Sequence, residues 1–299
     1  MQTRLATSFA LRERSIKKAQ TEMLEAIFLG IVQGLTEFLP ISSSAHVRIF
    51  GEFLPSGSDP GATFTAIMQI GTEIAVLIYF RKEILKITSG VLKFLSGKRF
   101  ESGSAEHQSA RLGGLIAIGS IPIFLLGYIG QSFIRDNFRS LWLISFTLIG
   151  FGIILGLLDH FGKKVKDLTD LNSKDGLIYG LAQSLALIPG VSRSGATIAM
   201  GRFLGYKREA ALRYSFLLAI PAVLGSGTYE LLNSLSAPTN NFSSLETAAA
   251  TLVAFVVGYT VIAWLMKFVQ TKSFMPFVIY RIALGTLILV LLATGAISA

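Results

Sequence analysis

Apolar segments of two lengths recur along this chain, and those lengths decide what it can fold into. Six reach the roughly 20 residues that a membrane-spanning helix needs: Ala62–Phe80, Leu112–Gly130, Leu141–Leu158, Ala211–Leu232, Ala248–Val269 and Phe274–Ala293. Four others, Leu24–Leu39, Ser44–Leu54, Gly176–Ile188 and Ser194–Leu204, are shorter and broken by Pro or Ser clusters. Such segments enter a bilayer and return rather than cross it. Composition agrees. Only 15% of the 299 residues are charged and 52% are hydrophobic, whereas a soluble domain carries about 25% charged residues. The absence of cysteine removes disulfides, thiolate metal sites and thiol catalysis.

The pattern reads as two short segments followed by three long ones, twice over. At an offset of 150 residues, Gly30, Gln33, Leu35, Ser42, Ser44 and Ile70 match Gly180, Gln183, Leu185, Ser192, Ser194 and Ile220. If each short pair enters and leaves on one side, a half crosses three times and the second half is inverted, as in many transporters. The expected fold is therefore an all-α polytopic membrane protein with an inverted-topology repeat. Its halves are residues 23–160 and 174–299, each made of two re-entrant and three transmembrane helices in a single membrane domain.

Basic residues give the sidedness. One face collects Arg81, Lys82, Lys86, Lys93, Lys98, Arg99 and Arg111, then Lys163, Lys164, Lys166 and Lys174, then Lys267 and Lys272. The second short pair adds Arg202, Lys207, Arg208 and Arg213 there. The opposite face has Arg135, Arg139 and Arg48, with no Lys or Arg in Asn233–Glu246. The first face is predicted to be cytoplasmic, so the net charge of +9 reports orientation rather than nucleic-acid binding. Residues 1–22, with Arg4, Arg12, Arg14, Lys17 and Lys18, fall on the wrong side of this count and lack the apolar core of a signal peptide. Translation is expected to start at Met23.

Ionisable groups at membrane depth are expensive and mark function. Here they gather on the broken segments. In QGLTEFLPISSSAH, residues 33–46, Gln33 and Glu37 share a helix face, Pro40 and the serines interrupt the helix, and Ser42 or Ser43 can cap the next one. Ser43 and His46 then lie one turn apart, suited to a hydroxyl nucleophile with an imidazole base or relay. A capping serine beside a packed histidine is the bland alternative. In PGVSRSGAT, residues 189–197, Pro189–Gly190 ends one half-helix and Ser192 or Ser194 begins the next. Free amides at that N-terminus, with Gly195 leaving them approachable and the fork of Arg193 beside them, suit an anionic phosphate. Ser43 and Arg193 are equivalent under the offset, so the two loops are expected to face each other across one site.

Secondary candidates are Ser42, Ser44, Gln69, Glu73 and Arg281, the last either snorkelling or paired with a carboxylate. Tyr280 is assigned to an interfacial belt, and Gly152 and Gly156 to close helix packing. No Walker A, dinucleotide or HExxH motif occurs.

From Met23 to the C-terminus, these motifs resemble the undecaprenyl-diphosphate phosphatases of the bacitracin-resistance type. The resemblance rests on QGLTEFLPISSSAH, on PGVSRSGAT followed by FLLAIPAVLG, and on PFVIYR. It implies hydrolysis of undecaprenyl diphosphate to undecaprenyl phosphate and inorganic phosphate, recycling the carrier lipid for peptidoglycan. The enzyme would sit in the bacterial plasma membrane with its site open to the outer face. Carried over by position, Glu37, Ser43 and His46 are catalytic together with Arg193, and Ser192, Arg193, Ser194, Gly195 and Thr197 bind phosphate. Where the family often has Glu, this chain has Gln33, which leaves Glu37 as the ligand for any Mg²⁺ or Ca²⁺. Expected partners are a polyprenyl diphosphate lipid and membrane lipids, with homo-oligomerisation left open. Ser43, His46 and a Glu37-activated water all remain candidates for the nucleophile. The rival reading is a transporter or flippase for an anionic polyprenyl lipid.

Overall fold

A computed structural model describes residues 2–55, 60–101, 103–138, 140–236 and 242–298. Arg139 and residues 237–241 of the Asn233–Glu246 segment lie outside the described residues, as do the side chains of Arg4, Arg14 and Arg135. Between its turns and loops the described chain is helical, with one isolated bridge between Lys166 and Tyr206.

The elements are α1 (Gln2–Thr36), α2 (Ser43–Glu52), α3 (Ala62–Tyr79), α4 (Arg81–Leu95), α5 (Ala105–Asn137) and α6 (Leu141–Phe161). After them come α7 (Ser173–Ser184), α8 (Arg193–Phe203), α9 (Arg208–Ser236), α10 (Ser244–Thr271) and α11 (Met275–Ala293). Five of these, α5, α6, α9, α10 and α11, are long and apolar enough to cross a membrane. A sixth candidate is α3 with α4, bent by 81°. The four short segments become α2, α8, α7 and the end of α1. Residues 2–22 continue into the first apolar segment as one unbroken helix. One feature differs from expectation: the basic stretch after Phe80, read as a loop, forms the amphipathic helix α4.

The two halves are built alike where they break. Ser42 (φ 75°) and Ser192 (φ 70°), 150 residues apart, are the described non-glycine residues with positive φ. This left-handed region costs an L-residue about 1–2 kcal/mol. Each sits immediately before a short helix, so the same strained elbow turns the chain in both halves. Packing is matched as well. Gly30 of α1 lies against the backbone of Ala250 on α10, and Gly180 of α7 lies against the backbone of Gly119 on α5. At both positions a Cβ would strike main chain. Gly152 and Gly156 of α6 meet Arg281 and Val278 of α11, the close packing expected of a small-xxx-small pair.

The largest buried cluster runs through the centre, from Phe38 and Ile41 at the first elbow through Ala75 and Val76 of α3 and Phe216 of α9 to Ile262 and Leu265 of α10. Both elbows are held against this core.

Candidate active site

Glu37 lies just beyond the last turn of α1, its amide still bonded to the Gln33 carbonyl at 2.9 Å. The carboxylate is 7% exposed and accepts three side-chain hydrogen bonds. Gln33 Nε2 donates to Oε2 at 2.7 Å, Ser43 Oγ donates to the same oxygen at 2.5 Å, and Arg193 Nη2 donates to Oε1 at 2.9 Å. One carboxylate thus joins a hydroxyl from the first elbow to a guanidinium from the second. The two broken loops face each other in a single site.

Arg193 also approaches a second carboxylate, with Nη1 4.0 Å from Glu73 Oε2 on α3. Glu73 is 1% exposed. Around this group three polar atoms are buried without a hydrogen-bond partner: Gln33 Oε1, Glu73 Oε1 and Arg193 Nη1. An orphaned buried polar atom costs about 1–3 kcal/mol, so the cluster is arranged for something it does not itself contain. It borders a cavity of about 530 Å³ lined by Glu37, Ser42, Ser43, Ser44, Gln69, Ser192 and Arg193 on the polar side. The opposite walls are α5 and α9, with Ile123, Phe124, Ala222 and Val223.

His46 makes no hydrogen bond to Ser43. Its Nδ1 lies 2.7 Å from the Ser42 carbonyl and its Nε2 2.8 Å from the Tyr280 hydroxyl. A carbonyl only accepts, so Nδ1 carries the hydrogen. Tyr280 stacks on the imidazole with centroids 5.5 Å apart and an 11° interplanar angle. The expected Ser43–His46 pairing on one helix face is replaced by Ser43–Glu37, because the elbow at Ser42 turns the hydroxyl back towards α1. Tyr280, assigned from sequence to an interfacial belt, is instead the partner of this histidine. Its position beside Arg281 in PFVIYR was the available signal.

Arg281 corrects a second expectation. It neither snorkels nor pairs with a carboxylate. It is fully buried and donates to five backbone carbonyls: Pro40 (3.0 Å), Gly190 (2.8 Å), Val191 (3.0 Å), Thr147 (3.3 Å) and Leu148 (3.1 Å). Pro40 belongs to the first broken loop and Gly190 and Val191 to the second, so one guanidinium ties both to α6.

The residues of the second motif divide. Ser192 caps α8, its Oγ accepting from the Gly195 amide at 3.1 Å. That amide is therefore spent, and Gly195 leaves room for Arg281 rather than for an anion, since a Cβ there would lie 3.0 Å from Nη1. Ser194 Oγ bonds to the Leu39 carbonyl at 3.1 Å. Thr197 is fully buried and bonds to Arg193 O at 2.8 Å and Ser215 Oγ at 2.5 Å. Ser194, Gly195 and Thr197 thus build the loop and stand apart from the cavity. At the N-terminus of α2 the opposite holds, because Ser42 makes no side-chain cap bond. The amides of its first turn stay unspent.

Among the described residues no group of three or more His, Cys, Asp or Glu side chains forms a cage for a metal ion.

With this geometry in place, the comparisons with known proteins are specific. The undecaprenyl-diphosphatase of Micrococcus luteus is 56% identical over 278 residues, covering 92% of this chain and 99% of that protein. Undecaprenyl-diphosphatase 2 of Agrobacterium fabrum is 54% identical over 276 residues, covering 92% and 98%. The undecaprenyl-diphosphatase of Nocardioides is 54% identical over 278 residues, covering 93% and 99%. A family model described as bacitracin resistance protein BacA matches residues 26–287, and the chain belongs to that family.

Proposed function

We propose that this chain is an undecaprenyl-diphosphatase. It hydrolyses undecaprenyl diphosphate to undecaprenyl phosphate and inorganic phosphate and so recycles the carrier lipid of peptidoglycan synthesis. The observation that carries the reading is the Glu37 carboxylate bonded to both the Ser43 hydroxyl and the Arg193 guanidinium at the edge of a cavity with an apolar wall. A transporter needs the cation but has no use for a carboxylate-activated serine.

In this reading the diphosphate enters the polar side of the cavity. Its oxygens compete with Glu37 for Arg193, whose Nη1 has no hydrogen-bond partner, and meet the unspent amides of α2. Ser43 Oγ attacks the terminal phosphorus and its proton passes to Glu37. The bond to the bridging oxygen breaks, Glu37 passes the proton on to that leaving oxygen, undecaprenyl phosphate departs, and a phosphoserine is left. Water, giving a proton to Glu37, attacks that phosphorus. Inorganic phosphate leaves and Ser43 takes back a proton. Arg193 and the α2 amides stabilise the charge that grows on the equatorial oxygens. Ser192 shapes the α8 elbow that presents Arg193. His46, held by Ser42 O and Tyr280, acts as a positioning residue for the strained elbow. Gln33 fixes the carboxylate from the other side. The prenyl chain runs out along Ile123, Phe124, Ala222 and Val223 between α5 and α9.

The donor set suits a divalent cation bound chiefly by substrate and water. Glu37 and Glu73 supply hard carboxylate oxygens, and Glu73 Oε1 and Gln33 Oε1 have no partner. Such an ion would neutralise phosphate charge. The two halves form an inverted repeat in the bacterial plasma membrane, with the basic ends of α5 and α9 cytoplasmic and the cavity open to the outer face. The matched elbows and the matched Gly30 and Gly180 contacts support that arrangement.

The test is phosphate release from a long-chain polyprenyl diphosphate by purified protein in detergent, with and without Mg²⁺ or Ca²⁺. Activity that is lost in Ser43→Ala and Arg193→Ala is the expected result. Inactivity of the wild type in every condition would overturn the reading in favour of a transporter.

A further inference from the structure

A second cationic concavity lies at the other end of the molecule, and the proposed reaction makes no use of it. The catalytic cavity touches α5 at Gly127 and α9 at Tyr229. The second cleft, about 440 Å³, touches α5 at Arg111 and α9 at Arg213. The nearest lining residues on α5, Ile123 and Leu115, are about 12 Å apart at 1.5 Å per residue, so the two cavities are separate.

The fourth helix forms its rim. It leaves α3 at 81°, so a segment following a span turns into the membrane plane. At 100° per residue, three stripes run along α4. Ile87 and Gly90 are buried, with Gly90 lying against Ala110 of α5. Lys82, Lys86 and Lys93 form the second stripe. Leu85, Leu92 and Leu95, which are 68%, 62% and 74% exposed, form the third. A basic stripe beside an exposed leucine stripe, on a helix lying across the span direction, is the design of a helix seated at a lipid–water boundary.

The charges of the cleft and of its rim helix are unevenly committed. Arg213 bonds to Glu83 at 2.8–2.9 Å, Lys93 pairs with Glu106, and Arg111 Nη2 donates to the carbonyls of Thr169 and Leu171. Lys82 and Lys86, by contrast, line the cleft with no ion-pair partner among the described residues. We propose that this cleft binds the phosphate headgroup of an anionic phospholipid, with Lys82 and Lys86 as its main contacts and the Leu85–Leu92–Leu95 stripe against the acyl chains. The two stripes together fit a molecule that is anionic at one end and apolar at the other. The site stands independently of the phosphatase reading.

Binding of phosphatidylglycerol, phosphatidylcholine and inorganic phosphate to purified protein in a neutral detergent tests this. Each lysine near an anionic headgroup contributes about 1 kcal/mol, so Lys82→Ala with Lys86→Ala should weaken phosphatidylglycerol binding about 30-fold. Polyprenyl diphosphate hydrolysis in detergent should stay within about twofold of wild type. Leu85→Ser with Leu92→Ser should weaken the lipid and leave inorganic phosphate unaffected. The proposal is overturned if the double lysine variant binds phosphatidylglycerol like wild type, if phosphatidylcholine binds as tightly, or if inorganic phosphate displaces the lipid at equal concentration.

Discussion

Arg281 offers the sharpest test of how the site is held, because it touches no reacting group. Its guanidinium spreads donors over three nitrogens and reaches five carbonyls on three segments, at 2.8–3.3 Å. In Arg281→Lys the charge remains, but one nitrogen carries three donors and can serve at most three acceptors on one side. At least two buried carbonyls then lose a charge-assisted bond worth about 1.5–3 kcal/mol each, so the network weakens by about 3–6 kcal/mol. Loss at Pro40 frees the loop that presents Ser43, and loss at Gly190 and Val191 frees the one that presents Arg193. Since one decade of rate costs about 1.36 kcal/mol, a fall of about 10- to 100-fold in kcat follows if half of that weakening reaches the geometry of attack. The assay is phosphate release in detergent, paired with thermal unfolding followed by the fluorescence of Trp142 and Trp264. Both kcat and Tm should drop, whereas Ser43→Ala should lose activity at unchanged Tm. Wild-type kcat and Tm in Arg281→Lys would refute the clamp.

Three further outcomes follow from neighbouring contacts. Glu37→Gln keeps an acceptor for Arg193 but removes the base, so kcat should fall about 10²–10⁴-fold with Tm near wild type; a fully active variant would place the base elsewhere. Tyr280→Phe keeps the stack on His46 and removes one hydrogen bond of about 1 kcal/mol, and a roughly fivefold loss of activity is expected, read against an unchanged Tm. Gly190→Ala should lower Tm by several degrees in a thermal melt, since Gly190 has φ +92° and an added Cβ would collide with the Thr147 hydroxyl.

Hydropathy and loop chemistry make the helices and the motifs legible, and they are silent on contacts made across the fold. The six long apolar runs mark α3, α5, α6, α9, α10 and α11 to within a few residues except at α5, which extends one to two turns beyond its apolar run at each end because its termini are polar helix. The short broken helices are equally visible, since Pro40 and Pro189–Gly190 interrupt them. Helix α4 is hidden because alternating Lys and Leu read as a charged loop unless the 100° period is followed around the whole helix. At the site, Glu37, Ser43 and Arg193 are legible as ionisable or nucleophilic groups in apolar surroundings. The Ser43–His46 pairing misleads because helix spacing alone cannot see an elbow with φ 75°. Thr197 misleads for a related reason: its hydroxyl is captured by Ser215, 18 residues away in sequence. Arg281 lies 241 residues from Pro40, and nothing local to either residue announces their bond.

The matched elbows also frame the asymmetry of the chemistry. Both halves carry the serine elbow and the buried glutamine of the preceding helix, Gln33 and Gln183. Four residues on from the first stands Glu37, and four on from the second stands Leu187. Gln33 therefore has a carboxylate to hold, while both amide atoms of Gln183 are buried without a hydrogen-bond partner. Next to the elbows the exchange runs the other way, with Ser43 in one half and Arg193 in the other. The capping follows suit: Ser192 spends its hydroxyl on Gly195, and Ser42 leaves the α2 amides open. Two symmetric arms would bring like charges together at the centre, either two carboxylates or two guanidiniums, at a repulsive cost that rises steeply in a low-dielectric interior. Dividing the roles lets one arm supply nucleophile and base and the other supply the counter-charge, so Glu37 and Arg193 offset each other before substrate arrives, and Arg193 exchanges one anionic partner for another when it does.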